Sequence, residues 1–238
     1  MVDPNLHRRV GHIAVPYKHY ILVWGGFTSN HSDVEIYCPT EHIWFYNCLT
    51  EVWTLGHTKG YLPFRNSGST AVVCEDYLYI YGGVEELTEE LWRYSCDLHR
   101  LDLKTLTWCH LTPTGIPPQG CDKGVGWVYN YKIYFFGGYG QRSHHIVNGY
   151  SFDTDTSNLQ GDRGWNNQLT LYDPVTNSWS SPKTSGRPPR PRAAHAADLN
   201  GDTIYIFGGR LGAGRVNDLY LLDLKTMKWS NTCIAKVQ

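Results

Sequence analysis

The chain has 238 residues, a formal net charge of −1 and no block of like charge longer than a few residues, which excludes the electrostatic footprint of a nucleic-acid binder. Its apolar runs are only a few residues long, as at Tyr20 to Trp24, far short of the roughly 20 that a membrane span needs. Nine Trp and seventeen Tyr against two Met favour strands, where flat and branched side chains pack well, so composition predicts an all-β chain.

Met1 to Arg9 carries Asp3, His7, Arg8 and Arg9 with no apolar stretch behind it, so no secretory signal is expected. Seven cysteines (Cys38, Cys48, Cys74, Cys96, Cys109, Cys121 and Cys233) form no CxxC pair and no zinc-like spacing. They are expected to be reduced thiols of a protein of the cytoplasm or nucleus.

In chain order, a strand and then an apolar run lead into a glycine pair four times: Gly25-Gly26, Gly82-Gly83, Gly137-Gly138 and Gly208-Gly209. The strands ahead of the runs are predicted over residues 12–15, 69–74, 126–129 and 194–199. Downstream of each pair an Asn or Asp precedes a Trp by six residues: Asn47 and Trp53, Asp102 and Trp108, Asp173 and Trp179, Asp223 and Trp229. Thr50, Thr105, Thr176 and Thr226 stand three residues after the Asn or Asp. Such an Asn or Asp accepts hydrogen bonds from the backbone two residues on, so these segments are predicted hairpin turns with the Trp entering a fourth strand.

The third unit is longer than its siblings by about fifteen residues, placed between Gly138 and Leu169. Residues 148–164 are rich in Asn, Asp, Ser, Thr and Gly and are expected to form a long loop. The prolines of residues 187–192 predict a stiff, extended connection.

A four-stranded unit with Gly-Gly after the second strand and Trp in the fourth resembles the kelch repeat, over nearly the whole chain. The resemblance implies a kelch β-propeller with four recognisable blades of four antiparallel strands, either a closed four-blade ring or an open arc of a six-blade parent. The blades are expected at about 9–55, 66–111, 123–180 and 192–232 of one domain. Glycine lets the strand end turn without a Cβ, Trp fills the wedge between blades, and radial repetition protects strand edges.

The repeat is its own control, since positions shared by all units are scaffold. The residue after the glycine pair is Phe27, Val84, Tyr139 or Arg210, and Arg210 departs most. With Arg215 it flanks a short Gly-rich loop, and two guanidinium forks suit a carboxylate. The alternative is a pair of loop arginines pointing into solvent.

Five stretches carry a closer resemblance: Lys123-Gly-Val-Gly-Trp-Val-Tyr, Phe135-Phe-Gly-Gly-Tyr-Gly140, Arg163-Gly-Trp165-Asn, Pro191-Arg-Ala-Ala-His195, and Phe207-Gly-Gly-Arg210 through Arg215-Val-Asn-Asp-Leu. They look like the kelch domain-containing substrate receptors one and two of cullin-2 RING ubiquitin ligases, which recognise C-terminal diglycine-type degrons. The resemblance implies that Arg210 and Arg215 bind the terminal carboxylate of a substrate peptide, with Lys123, Tyr139 and Trp165 as further walls of the pocket. Ordinary packing is the alternative for Tyr139 and Trp165. Elongin B, elongin C and cullin-2 are the implied partners. Their docking segment, and a Ser-Trp pair completing the pocket, are expected downstream of Gln238, which would make this chain a truncated form.

Enzyme readings fare worse. His144 and His145 are adjacent, and neighbours on a strand point to opposite faces, so no metal site is expected. No Gly-x-Ser-x-Gly elbow, Walker loop or phosphate cradle occurs, and no cofactor is expected. Glu85, Glu86, Glu89 and Glu90 are expected in a solvated loop between the second and third strands, or in a partner-contact patch.

Overall fold

The structure, a computed structural model, describes residues 8–29, 35–88, 90–142, 150–157 and 161–232. His144, His145, Glu89 and Cys233 lie outside them. The described residues contain no helix, hence none long and apolar enough to cross a membrane. The chain divides into two compact units, 1–112 and 113–238.

In the first unit, one sheet runs Ile13–Tyr17, Tyr20–Trp24, His42–Asn47 and Val52–His57, each strand antiparallel to the next. The second sheet repeats that order with Thr70–Cys74, Tyr77–Tyr81, Leu98–Asp102 and Thr107–Leu111. In the second unit, Val125–Tyr129, Lys132–Gln141, Arg163–Asp173 and Ser178–Ser180 form one sheet, and Ala196–Asn200, Thr203–Phe207, Leu219–Asp223 and Lys228–Thr232 the other. The four-stranded unit expected from the repeat is thus present four times. The segment leading into a blade also lies parallel to that blade's own fourth strand, with Lys59–Gly60 along Thr107–Trp108, Thr114 along Ser178 and Ser185 along Lys228. The pairing covers part of an edge that would otherwise offer unpaired backbone groups.

The turn chemistry is as the spacing predicts. Asn47, Asp102, Asp173 and Asp223 each accept from the backbone N–H groups two and three residues on, at 2.8–3.4 Å. Both glycines of every pair have positive φ, between 68° and 71° at the first and between 80° and 117° at the second. At Gly83 a Cβ would lie 1.9 Å from Oδ1 of Asn66, so the position excludes any side chain.

Each unit has its own core. In the first, Ile13, Leu22, Trp24, Ile43, Leu78, Ile80, Leu101 and Trp108 are buried together, with Trp108 packed on Trp24 at 5.5 Å between ring centroids. In the second, Trp127, Phe136, Ile204, Ile206, Leu222 and Trp229 do the same, with Trp229 on Phe136 at 5.4 Å. The fourth-strand Trp of one blade therefore rests on the aromatic that precedes the glycine pair of the blade before it. At the strand turns, Tyr17 donates its hydroxyl to Asp76 at 2.6 Å, and Lys104 pairs with that carboxylate at 2.5 Å. Tyr129, Asp202 and Lys225 repeat the clamp in the second unit at 2.8 and 2.5 Å.

Two expectations are corrected. Glu85 lies in a strand, Val84–Thr88, and not in a solvated loop; its side chain is 1% exposed and pairs with Arg93 at 2.9 Å. Desolvation pushes its carboxyl up, against the pull of Arg93. Residues 148–164 are likewise not one loop, because Phe152–Thr154 forms a strand paired with Arg163–Asp173.

Candidate functional site

A donor that sequence reading missed sits sixteen residues before the first glycine of every pair. Arg9, Asn66, Cys121 and Arg192 donate to the carbonyls of Gly25, Gly82, Gly137 and Gly208 at 3.2, 2.9, 3.4 and 2.9 Å. In the fourth unit that donor does more. Arg192, expected as part of a stiff connector and of a receptor-like stretch but given no role, is 0% exposed and gives both terminal nitrogens to Asp218, at 2.6 and 3.1 Å. Gly208 and Asp218 flank the loop that carries the two arginines, and Gly208 N–H donates to the Asp218 carbonyl at 3.0 Å. One buried guanidinium therefore pins both feet of the loop.

Above those feet the chain forms a minimal hairpin, Arg210–Leu211 against Gly214–Arg215, in which Arg210 and Arg215 are direct register partners. Directly opposed residues present their side chains on the same face. Both arginines are exposed. The hairpin is anchored at Ala193, which exchanges both backbone hydrogen bonds with Arg210 at 2.8 and 3.2 Å. Arg210 also donates its Nε–H to the Gly212 carbonyl at 3.0 Å.

The Arg210 guanidinium lies over the Trp165 ring, 5.2 Å from its centroid, and Trp165 is 3% exposed. Tyr139 is the cross-strand partner of Trp165, with ring centroids 5.2 Å apart at 63°. Arg210, Trp165 and Tyr139 thus form one continuous column held by cation–π and edge contacts. The Tyr139 hydroxyl donates to Oδ2 of Asp155 at 2.9 Å. Burial first, and then that anion, push the phenol up to about 12, so it stays protonated and a donor.

Lys123 follows Asp122, the register partner of Tyr139, and its backbone carbonyl accepts from Ala194 N–H at 2.8 Å. Its ammonium is paired with the buried carboxylate of Asp122. Desolvation raises the Asp122 carboxyl, and Lys123 opposes it. Of the five residues singled out in the sequence, the structure stacks Arg210, Trp165 and Tyr139 in one column and sets Arg215 in register with Arg210. It joins Lys123 to them through the backbone while committing its charge to Asp122. Asp155 and Arg192 were missed as site residues. Arg192 was hidden because its equivalents are Asn, Cys and Arg, and Asp155 because a three-residue strand gives no periodic signal. Among the described residues no group of three or more His, Cys, Asp or Glu is placed to hold a metal ion.

The KLHDC2/KLHL20/DRC7 Kelch-repeats domain matches residues 11–160 and 159–237. The chain is 39% identical over 226 residues to Kelch domain-containing protein 2 of Bos taurus, covering 93% of this chain and 55% of that protein. To Kelch domain-containing protein 1 of Mus musculus it is 36% identical over 238 residues, covering 97% of this chain and 58% of that protein. The chain therefore spans little more than half the length of these relatives. Among solved structures, one titled "Structure of YjhT" aligns with a TM-score of 0.71 at 18% identity, covering 98% of this chain and 68% of the other, a likeness of fold alone. With four glycine-pair blades and a family match along almost its whole length, the chain belongs to the kelch-repeat family and has the kelch β-propeller fold.

Proposed function

We propose that this chain is a protein-interaction module that binds the carboxy terminus of a glycine-ending partner, the terminal carboxylate lying between Arg210 and Arg215, and that it serves as the substrate-reading part of a cullin-RING ubiquitin ligase receptor. The observation that carries the reading is the direct register of Arg210 with Arg215 on a hairpin whose first arginine rests on buried Trp165. Two planar forks on one face suit a carboxylate's two oxygens. The column of Trp165 and Tyr139 supplies an apolar wall that strengthens an ion pair by excluding water, and a terminal glycine brings no side chain to collide with it.

The similarity to Kelch domain-containing proteins 1 and 2 supports the reading, as does the receptor-like set of stretches around the five residues. Assembly with elongin B, elongin C and cullin-2, in the cytoplasm or nucleus, is proposed for a protein of the full length of these relatives, of which this sequence covers little more than half. On this reading the module binds and does not catalyse, and it needs no cofactor.

Titration of a peptide ending in Gly-Gly, as the free acid and as the amide, tests it on the intact chain, Arg210→Ala and Arg215→Ala. Each substitution is expected to cost about 2 kcal/mol or more, since a bound peptide desolvates the pair, and amidation is expected to abolish binding. Losses under about 1 kcal/mol for both arginines, or equal binding of the amide, would leave instead a kelch scaffold that contacts folded partners through its loops.

A further inference from the structure

We propose that Asp155 is a specificity-determining residue of the arginine rim, rejecting acidic side chains beside a partner's terminal carboxylate and favouring neutral or basic ones. The inference rests on the terminus-reading proposed above and names the ligand class that this site prefers.

Asp155 stands at the end of the strand Phe152–Thr154, whose register sets Asp153 opposite Trp165 and Thr154 opposite Gly164. Its own N–H donates to the Arg163 carbonyl at 2.8 Å, so the backbone is tied to the strand that carries Trp165. The carboxylate is held from both sides. Oδ2 accepts from the Tyr139 hydroxyl at 2.9 Å, and Oδ1 accepts from Ser157, through its N–H at 3.1 Å and its hydroxyl at 2.6 Å. These three donors are neutral: they fix the carboxylate in place, and its charge is felt through space by Arg210.

Tyr139 packs on Trp165, and Trp165 carries the Arg210 guanidinium, so a fixed anion sits one aromatic pair away from the proposed carboxylate grip. Arg210 is near enough to help hold the Asp155 carboxyl below its usual range, although the Ser157 hydroxyl does so most. Because Arg210 itself feels the Asp155 charge, a chain end gripped by that guanidinium lies in the same field, which physiological salt screens over about 8 Å. An acidic side chain next to the terminus would meet Asp155 with like charge, and a lysine would meet it with opposite charge.

The experiment uses free-acid peptides ending in Gly-Gly with Lys, Ser or Glu immediately before the glycines, titrated against the intact chain and Asp155→Asn. Asn keeps the shape and an acceptor for Tyr139 or Ser157, and near-UV circular dichroism checks the fold. The intact chain is expected to prefer Lys over Glu by about fivefold or more, and Asp155→Asn to compress that ratio to about twofold or less. In the intact chain alone, raising the salt should compress the ratio in the same way. If free-acid peptides bind and the ratio is unmoved by Asp155→Asn or by salt, the inference is overturned while the terminus-reading stands. If no free-acid peptide binds either protein, the terminus-reading falls and takes this inference with it.

Discussion

Arg192 and Asp218 are joined by two parallel hydrogen bonds, and the guanidinium that makes them is wholly shielded from water while a third bond ties it to the carbonyl of Gly208. Removing that cation would strand the Gly208 carbonyl and empty a wholly buried side-chain site, while Asp218, 38% exposed, would turn to water. Arg192→Ala is expected to destabilise the fold by about 2–3 kcal/mol, from the cavity and the unpaired carbonyl, and Arg192→Lys by less, because an ammonium keeps the charge but not the fork. Denaturant titration measures both. A cost near zero for Arg192→Ala would mean that the loop's feet do not depend on this pair.

His195 predicts an acid-sensitive limb. Its ring is 7% exposed and meets Phe136 edge-on at 5.6 Å, and burial first, then Arg192, push it down to about 3. The folded value lies below the ordinary 6.5, so the unfolded chain takes the proton first. Stability is therefore full above about 6.5 and falls with pH towards 3, by up to about 1.4 kcal/mol per unit. His99, pushed down to about 4 by burial and then by His110, has the same sign. Denaturant midpoints between pH 7 and 4.5 should show a shallower fall in His195→Gln than in the intact chain, and an unchanged slope would contradict the burial of a neutral ring.

The clamp on Asp76 has the opposite sign of shift. Lys104 first, then Lys18 and Tyr17, hold its carboxyl well below the usual carboxylate range. The stabilisation is thus present above the unfolded value near 3.9 and is lost as pH falls through the lower folded one. Asp76→Asn should be less stable than the intact chain at neutral pH, with the gap closing below about pH 4 and also in high salt, since Lys18 and Lys104 are largely exposed. Thermal melts across that range read the gap, and one that widens in acid would refute the assignment.

Trp165 offers a check on the column that does not touch an arginine. Trp165→Leu keeps an apolar wall but removes the ring face beneath Arg210. Loss of a contact of this kind is worth about 0.5–1 kcal/mol at an exposed cation, so a Gly-ending free-acid peptide should bind roughly two- to fivefold more weakly. Calorimetry at fixed salt would detect it, and unaltered affinity would exclude the ring from the grip.

The parts of the fold that were legible in sequence are those made by neighbours in the chain. Asn47 and its three equivalents announce their turns because an Asx oxygen reaches only two or three residues ahead. The glycine pairs are legible because positive φ at both positions leaves few alternatives. Glu85 was misread because its partner, Arg93, stands across a strand pair whose register no local pattern reveals. In the site, Arg210 and Arg215 were visible as a break in the repeat, and their register follows from a short loop. The acid that Tyr139 binds was not visible, since the strand before Asp155 is defined by Trp165 and its neighbours rather than by its own composition.

The donor sixteen residues ahead of each glycine pair has a consequence for anyone who would cut and rejoin this chain. Guanidinium, carboxamide and thiol all fill the same socket, so the socket asks only for one proton aimed at one carbonyl. A blade excised from its first strand would leave that proton behind with its neighbour. A blade excised from Asn66 or Arg192 onward would take its latch along, and the graft would bring its own fastening to a foreign host.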